Sequence, residues 1–352
     1  MSAESVIAHF REQAMFCDMY GSPFTGALMK AMASDIEAGG LMAALAGDWP
    51  TSPRADALAL RFTGVLHEAA LSGRDLKLAA LYPAEQPNWN MQEVWPAALA
   101  FLQREEAWVR EFVRSAPQTN ETRRSIALLA AFLTFAQTWE GPVDFLEIGA
   151  SAGLNLNWDR FAYRPATWSW GDNSPVIIDT EWNGAPPPVE ARLNVREKAG
   201  CDLNPLDIRD RASLLRLKSY VWADQPDRLA RFDGAVALAL MNDTRVEKES
   251  ADVWLQRKLA ERANDAATIV YHSVFLQYPP PQTRKAIAQT IEEAGAQATK
   301  AAPIAWVRLE PEGLFDGPRD SPRMVIDLVT WPGASRRVLG YTDGHVRGVY
   351  VA

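Results

Sequence analysis

Apolar residues are spaced differently in the two halves of this chain, and the spacing predicts the elements. Over residues 1–140 the pattern is helical. Phe101, Leu102, Trp108, Val109, Phe112 and Val113 recur at the helical period, as do Ile126, Leu129, Leu133 and Ala136, so each set lines one helix face. Polar loops at 82–90 and 115–119 separate these segments. After Gly141-Pro142 the pattern changes. Residues 143–148 form a short strand-like run, 149–153 a glycine turn, and a helix is expected over 152–163. Strands are expected at 197–202, 244–248, 267–272 and 303–309, with helices near 205–221, 227–239, 251–263 and 282–294. Three strand-like runs close the chain at 323–331, 336–341 and 346–351, the last two joined by a turn with Asp343-Gly344 as its signal.

Alternating strands and helices are the signature of a parallel sheet covered by helices. The expected fold class is therefore α/β. It is a Rossmann-like, methyltransferase-type sheet, mostly parallel with a C-terminal antiparallel hairpin, preceded by an N-terminal helical domain. The expected boundaries are 1–140 and 141–352, with a Trp/Pro/Gly-rich insertion near 164–196.

Composition narrows the function classes. A length of 352 residues suits about two domains. Lys and Arg number 36 against 44 Asp and Glu, a net charge of −8, which disfavours a polyanion such as nucleic acid. Two distant cysteines, Cys17 and Cys201, and four histidines argue against a disulfide framework or a structural zinc site. The N-terminal segment carries acids and does not read as a signal peptide, and the apolar run 126–136 is shorter than the about 20 residues of a membrane span. A cytoplasmic protein acting on a small molecule, without membrane or metal, is expected.

The chemistry concentrates at Glu147-Ile148-Gly149-Ala150-Ser151-Ala152-Gly153. Small residues between strand and helix let a ligand approach the backbone, and free N–H groups follow. The spacing is E-x-G-x-S-x-G rather than G-x-G-x-x-G. An acid two residues before the first glycine would repel a pyrophosphate, whereas it suits a cationic cofactor such as S-adenosylmethionine. The same letters spell G-x-S-x-G, the nucleophile elbow of serine hydrolases, with Ser151 as nucleophile and His272 or His345 as base. Against that, no oxyanion-loop strand precedes the turn. A plain packing turn is the third reading. Beyond it, Leu154, Trp158 and Phe161 share one face, and Ser151, Asn155 and Asp159 a neighbouring polar one.

Acids downstream extend the cofactor reading. Asp202 ends the second strand, where a carboxylate takes both hydroxyls of a ribose, or caps the next helix. Asp252 reaches an adenine amino group or complements a helix dipole. His272, at the end of a central strand, serves as general base or as a satisfied buried histidine, and Tyr278 stacks on a ring.

Several blocks in order carry a resemblance: Gln118-Thr119-Asn120-Glu121 with Arg124, Glu147 to Leu156 with Asp159-Arg160, Cys201 to Asp207, Val221 to Gln225 with Arg228, and His272-Ser273. Together they resemble a bacterial family described as domain of unknown function 2332, over nearly the whole chain. The resemblance implies that the Gln-Thr-Asn-Glu segment accompanies the glycine turn, with Asn120, Glu121 and Arg124 on the substrate. Glu249-Ser250-Ala251-Asp252 departs from the Gly-Asp-Ala of that pattern.

The leading expectation is methyl transfer from S-adenosylmethionine to a small polar acceptor. Glu147, Gly149, Ser151, Gly153, Asp202 and Asp252 would hold the cofactor. Asn120, Glu121, Arg124, Asn155 and Asp159 would shape the substrate pocket, with His272 and Tyr278 catalytic and the helical domain on the substrate side. An adenosyl-ligand sensor without turnover, and a hydrolase using Ser151, are the alternatives.

Overall fold

Apolar residues at three- and four-residue spacing coil the first part of the chain into helices that bury one stripe each. In the computed structural model, which describes residues 3–315, 317–318 and 321–352, these are α1 (Ala3–Met19), α2 (Pro23–Glu37), α3 (Leu58–Ser72), α4 (Leu76–Ala80), α5 (Met91–Arg104), α6 (Glu106–Phe112) and α7 (Ser125–Ala136). Asp75 and Asn90 start α4 and α5 by accepting the Leu78 and Gln92 N–H groups at 2.8 and 3.1 Å. The expected stripe from Phe101 to Val113 is buried apart from the half-buried Trp108, and a break at Glu105 divides it between α5 and α6.

The chain divides into two compact units, 1–119 with 207–230, and 120–206 with 231–352. The division therefore falls before α7 rather than at 140, and one later segment returns to the first unit. Physical reasons are visible within each. Nearly every side chain of α7 is buried, so it has no solvent face and packs on the strands of the second unit. The returning segment carries α8 (Arg211–Ser219). Its Ser219 carbonyl accepts the His67 Nδ1–H at 3.1 Å, and Asp224 accepts the Phe24 N–H at 2.9 Å and the Ser22 hydroxyl, capping α2. Phe10, Phe24, Phe62, Leu66 and Phe101 form the core of this unit.

The second unit is α/β. Its elements are β1 (Pro142–Ile148), β2 (Ala162–Tyr163), β3 (Ile177–Ile178), β4 (Glu181–Asn183), β5 (Asn194–Asp202), the later part of α9 (Pro226–Met241), β6 (Glu247–Lys248), α10 (Ala251–Ala260), β7 (Ala267–Ser273), α11 (Pro281–Ala296), β8 (Ile304–Pro311), β9 (Met324–Trp331), β10 (Ser335–Thr342) and β11 (Gly348–Val351). One sheet runs β4-β11-β10-β9-β8-β7-β1-β5-β6. The stretch β8-β7-β1-β5-β6 is parallel, β8 to β11 is an antiparallel meander, and β4 lies parallel to β11. Strand alternation sends Leu146 and Ile148 to a face covered by Trp254, Leu255, Ile287 and Ile291. Phe145 and Tyr271 meet Phe132 of α7 on the opposite face, with ring centroids 5.0 and 5.2 Å away.

Four expectations change in detail. Residues 164–196 are built into the fold, supplying β3, the edge strand β4 and the start of β5. The helix expected after the glycine turn is a kinked 3₁₀ segment, Leu154–Arg160, broken at Asn157. The Asn157 side chain bonds Thr244 Oγ1 at 3.0 Å and accepts the Asn242 amide at 2.8 Å, drawing its backbone out of helical geometry. The helix expected from Pro205 starts only at Arg211, where Asp210 accepts the Ser213 N–H at 2.8 Å. The strand expected over 244–248 pairs only at Glu247 and Lys248.

Candidate functional site

Parallel strands share one carboxyl edge, and open α/β sheets bind ligands there, where the strand order reverses. In this sheet the reversal is at β1, whose neighbours β5 and β7 lie on opposite sides of it. The turn after β10 reaches the same edge, because β10 is antiparallel to β9 and β9 to β8. The segment ahead of α7 joins them, as Asn120 Oδ1 accepts the Leu154 N–H at 3.0 Å just past the glycine turn.

The turn is tied to β5. Ser151 N–H donates to Asp202 Oδ2 at 2.9 Å, and Asn204 N–H donates to Asp202 Oδ1 at 2.9 Å. Asp202 thus does the capping work weighed against a ribose role, while each oxygen keeps a lone pair for a hydroxyl donor. Ser151 itself is at φ +54° and buried.

Glu147 ends the apolar face of β1. It is 3% exposed, Tyr271 donates its hydroxyl to Oε2 at 3.3 Å, and burial, aided by the Asp202 charge, pushes its carboxyl up to about 8. Burial and Glu147 together push the Tyr271 hydroxyl well up as well. An acid that is mostly protonated at neutral pH accommodates an incoming ammonium by releasing its proton.

The glycines are less open than the sequence suggests. Gly149 stands at φ +70°, and a Cβ there would come within 2.8 Å of Phe275 Cγ, so that ring holds the space expected for a cofactor. At Gly153 a Cβ would meet Val246 Cγ2 at 2.8 Å and Thr244 Cγ2 at 3.1 Å. Phe275 is half-buried in the loop after β7, and its N–H donates to Glu310 Oε1 at 2.8 Å. Access of any ligand to the Gly149 backbone requires the Phe275 ring to turn aside.

His272 is not available as a base. It is fully buried, its Nδ1–H donates to Glu310 Oε1 at 2.6 Å, and its Nε2 accepts the Trp306 indole N–H at 3.0 Å. Both ring nitrogens are engaged in holding β7 to β8. Tyr278 is 73% exposed on the same loop. Asp252 lies in the first turn of α10, with Oδ1 buried and no hydrogen-bond partner among the described residues.

The Asn120–Arg124 segment belongs to the second unit, not to the helical one. Glu121 is buried. Its Oε1 accepts the Arg123 N–H at 3.1 Å, its carbonyl accepts Asn155 Nδ2–H at 3.4 Å, and its Oε2 lies 3.8 Å from His345 Nδ1. Arg124 Nε–H donates to the Gly344 carbonyl at 3.1 Å. Asp159 instead pairs with Lys198, opposite Phe145 in the middle of the neighbouring strand β5.

Hydrogen bonds thus tie Ser151 to Asp202, Asn120 and Glu121 to Leu154 and Asn155 just past the turn, and Arg124 to the turn after β10, with Glu147 near the end of β1. Asp159, Asp252 and Tyr278 lie apart from that network. Sequence reasoning missed Phe275, Tyr271, Trp306 and Glu310. The one available signal was Glu310, an acid at the end of a strand-like run interrupted only by Arg308. Neither the curated proteins nor the solved structures include a match to this chain. Residues 8–350 match the family model described as "Uncharacterized protein conserved in bacteria", domain of unknown function 2332, and the chain belongs to that family.

Proposed function

We propose that the second unit binds S-adenosylmethionine on a Rossmann-like, methyltransferase-type sheet and transfers its methyl group to a small polar acceptor. The observation that carries this reading is the 2.9 Å bond from Ser151 N–H to Asp202 Oδ2, which couples the turn after β1 to the acid ending β5 at the strand-order reversal. Asp202 would hold the ribose hydroxyls and Glu147 the amino group. The cofactor, when bound, supplies an electrophilic methyl on a sulfonium. The chain's own residues orient the acceptor and exclude water, so rate comes mostly from proximity. His272 takes no part in this account, because both its nitrogens are engaged.

Calorimetry with S-adenosylmethionine tests the reading on wild type, Asp202→Ala and Gly153→Trp. Micromolar binding lost in both variants is expected. No binding to folded wild type would reduce the reading to a likeness of sheets. Binding without turnover across an acceptor screen would favour the sensor.

The hydrolase reading retains one specific support, the left-handed backbone at Ser151, φ +54°, which a nucleophile elbow also requires. Labelling of Ser151 by a fluorophosphonate probe decides it.

A further inference from the structure

We propose that Phe275 is a hinged gate over this site, shut in the free protein and swung aside by a ligand that brings an apolar or aromatic face to Gly149. The gate stands on geometry alone; the ligand that tests it rests on the methyl-transfer reading.

Strand β7 ends at Ser273, and the chain leaves it through Val274 in the left-handed region, φ +54°. A β-branched side chain avoids that region because it crowds the backbone, so this residue is strained. Bonds on both sides hold it there. Val274 N–H donates to the Leu309 carbonyl at 2.7 Å, and Phe275 N–H to Glu310 Oε1 at 2.8 Å. Glu310 is fixed in turn by the His272 Nδ1–H at 2.6 Å, and His272 by the Trp306 indole N–H at 3.0 Å. A turn follows, in which Tyr278 N–H donates to the Phe275 carbonyl at 3.0 Å. So held, the Phe275 ring leans on the His272 ring, centroids 5.9 Å apart, and lies across Gly149.

The latch itself is left half satisfied. Glu310 is fully buried, yet its Oε2 has no hydrogen-bond partner among the described residues. A buried carboxylate oxygen without a donor raises the energy of the shut state. Swinging residues 274–275 outward relieves both features: Val274 returns to extended backbone, and Glu310 meets water or ligand. The β7–β8 ladder and the bond between His272 and Trp306 need not change. What opposes the motion is the burial of one ring and one N–H bond to Glu310. The strain and the unmet oxygen offset that burial, so a ligand can tip the loop.

Only the open loop bares the Gly149 backbone, so a ligand binds with its affinity reduced by the fraction of loop that is open. It must also cover the apolar surface that the ring gives up. A flat base or a carbon–sulfur chain does so, and a small wholly polar ion does not.

Val274→Gly and Phe275→Ala act on opposite sides of this balance. Glycine adopts the left-handed region without strain, so Val274→Gly holds the gate shut. Protection of the N–H at position 275 against hydrogen exchange, corrected for intrinsic rates, should then rise about fivefold or more. Phe275→Ala removes the burial of the ring, and the same protection should fall about tenfold. Both are read without ligand. Protection that is unchanged or lower in Val274→Gly overturns the gate. Should that variant not fold, Phe275→Ala decides, and unchanged protection there overturns it. In calorimetry, Val274→Gly should weaken S-adenosylmethionine binding about fivefold or more. Shifted protection in a protein that binds no S-adenosylmethionine upholds the gate and sinks the methyl-transfer reading. Binding that Val274→Gly leaves unchanged does the reverse, whatever the exchange shows.

Discussion

Replacing Glu147 by Gln should make the second unit more stable at neutral pH while leaving it unchanged in acid. The carboxyl has an ordinary value of 4.5 and is pushed up to about 8 by burial in the folded chain. Below pH 4.5 it is protonated whether the chain is folded or not. Between 4.5 and 8 the unfolded chain has lost this proton and the folded chain keeps it, so the folded state binds more protons and stability falls as pH rises. The slope approaches 1.36 kcal/mol per pH unit, so by pH 7.5 the acid costs about 4 kcal/mol relative to pH 4.5. Above 8 both states are ionised and the loss levels off. Gln keeps a carbonyl to accept the Tyr271 hydroxyl and does not titrate. Urea unfolding of both proteins from pH 4.5 to 8 is the assay, and every other titrating group cancels in the difference. The curves should meet near pH 4.5 and diverge by several kcal/mol at pH 7.5. A constant offset across that range would refute the reasoning, because it would mean that Glu147 ionises as an exposed acid does. The same proton links to ligand: a cation binding beside Glu147 expels it, so affinity should rise with pH up to about 8.

Phe275→Ala should raise S-adenosylmethionine affinity about tenfold, because the ligand no longer displaces a half-buried ring whose packing is worth about 1.5 kcal/mol; calorimetry at one pH reads it. Asp202→Ala removes the acceptor of the Ser151 and Asn204 N–H groups and should cost about 2 kcal/mol in urea unfolding, separately from any ligand effect. Glu310→Ala strands the His272 Nδ1–H and the Phe275 N–H and should cost about 2–5 kcal/mol, with Trp306 fluorescence altered. In the helical unit, burial lowers His67 to about 4, so stability is lost as pH falls from 6.5 to 4, by about 3 kcal/mol; His67→Phe should abolish that dependence.

The parallel alternation was legible because its signal is local. Residues 143–148 read as a strand-like run before a glycine turn, and the strands expected at 267–272 and 303–309, mostly apolar and bounded by polar or breaking residues, are found at Ala267–Ser273 and Ile304–Pro311. The 3₁₀ segment after the turn was not legible, since Leu154–Arg160 has helical spacing and loses its helix to bonds from Asn157 to residues 85 and 87 positions away. Nor was the assignment of 207–230 to the first unit, which rests on Ser219 meeting His67 and Asp224 capping α2, contacts of more than 150 residues' separation. At the site, the acids at strand ends could be read because strand direction dictates where they emerge. The Phe275 ring on Gly149 could not, because that contact depends on how the loop after β7 turns, with Val274 held at φ +54°.

The Glu310–His272 pair shows how burial at this edge turns a catalytic-looking pair into a structural one. Glu310 and His272 are both fully buried, 2.6 Å apart, and the far ring nitrogen is closed by the Trp306 indole. Nothing can reach that imidazole without unpacking β7 from β8, so the pair is a clamp, and its product is the position of Phe275. Sequence position alone favours His272 as the base, because the end of a central strand is where α/β chemistry is usually found. Accessibility overrules that choice: a base must touch what it deprotonates, and the His272 ring, buried and bonded at both nitrogens, cannot.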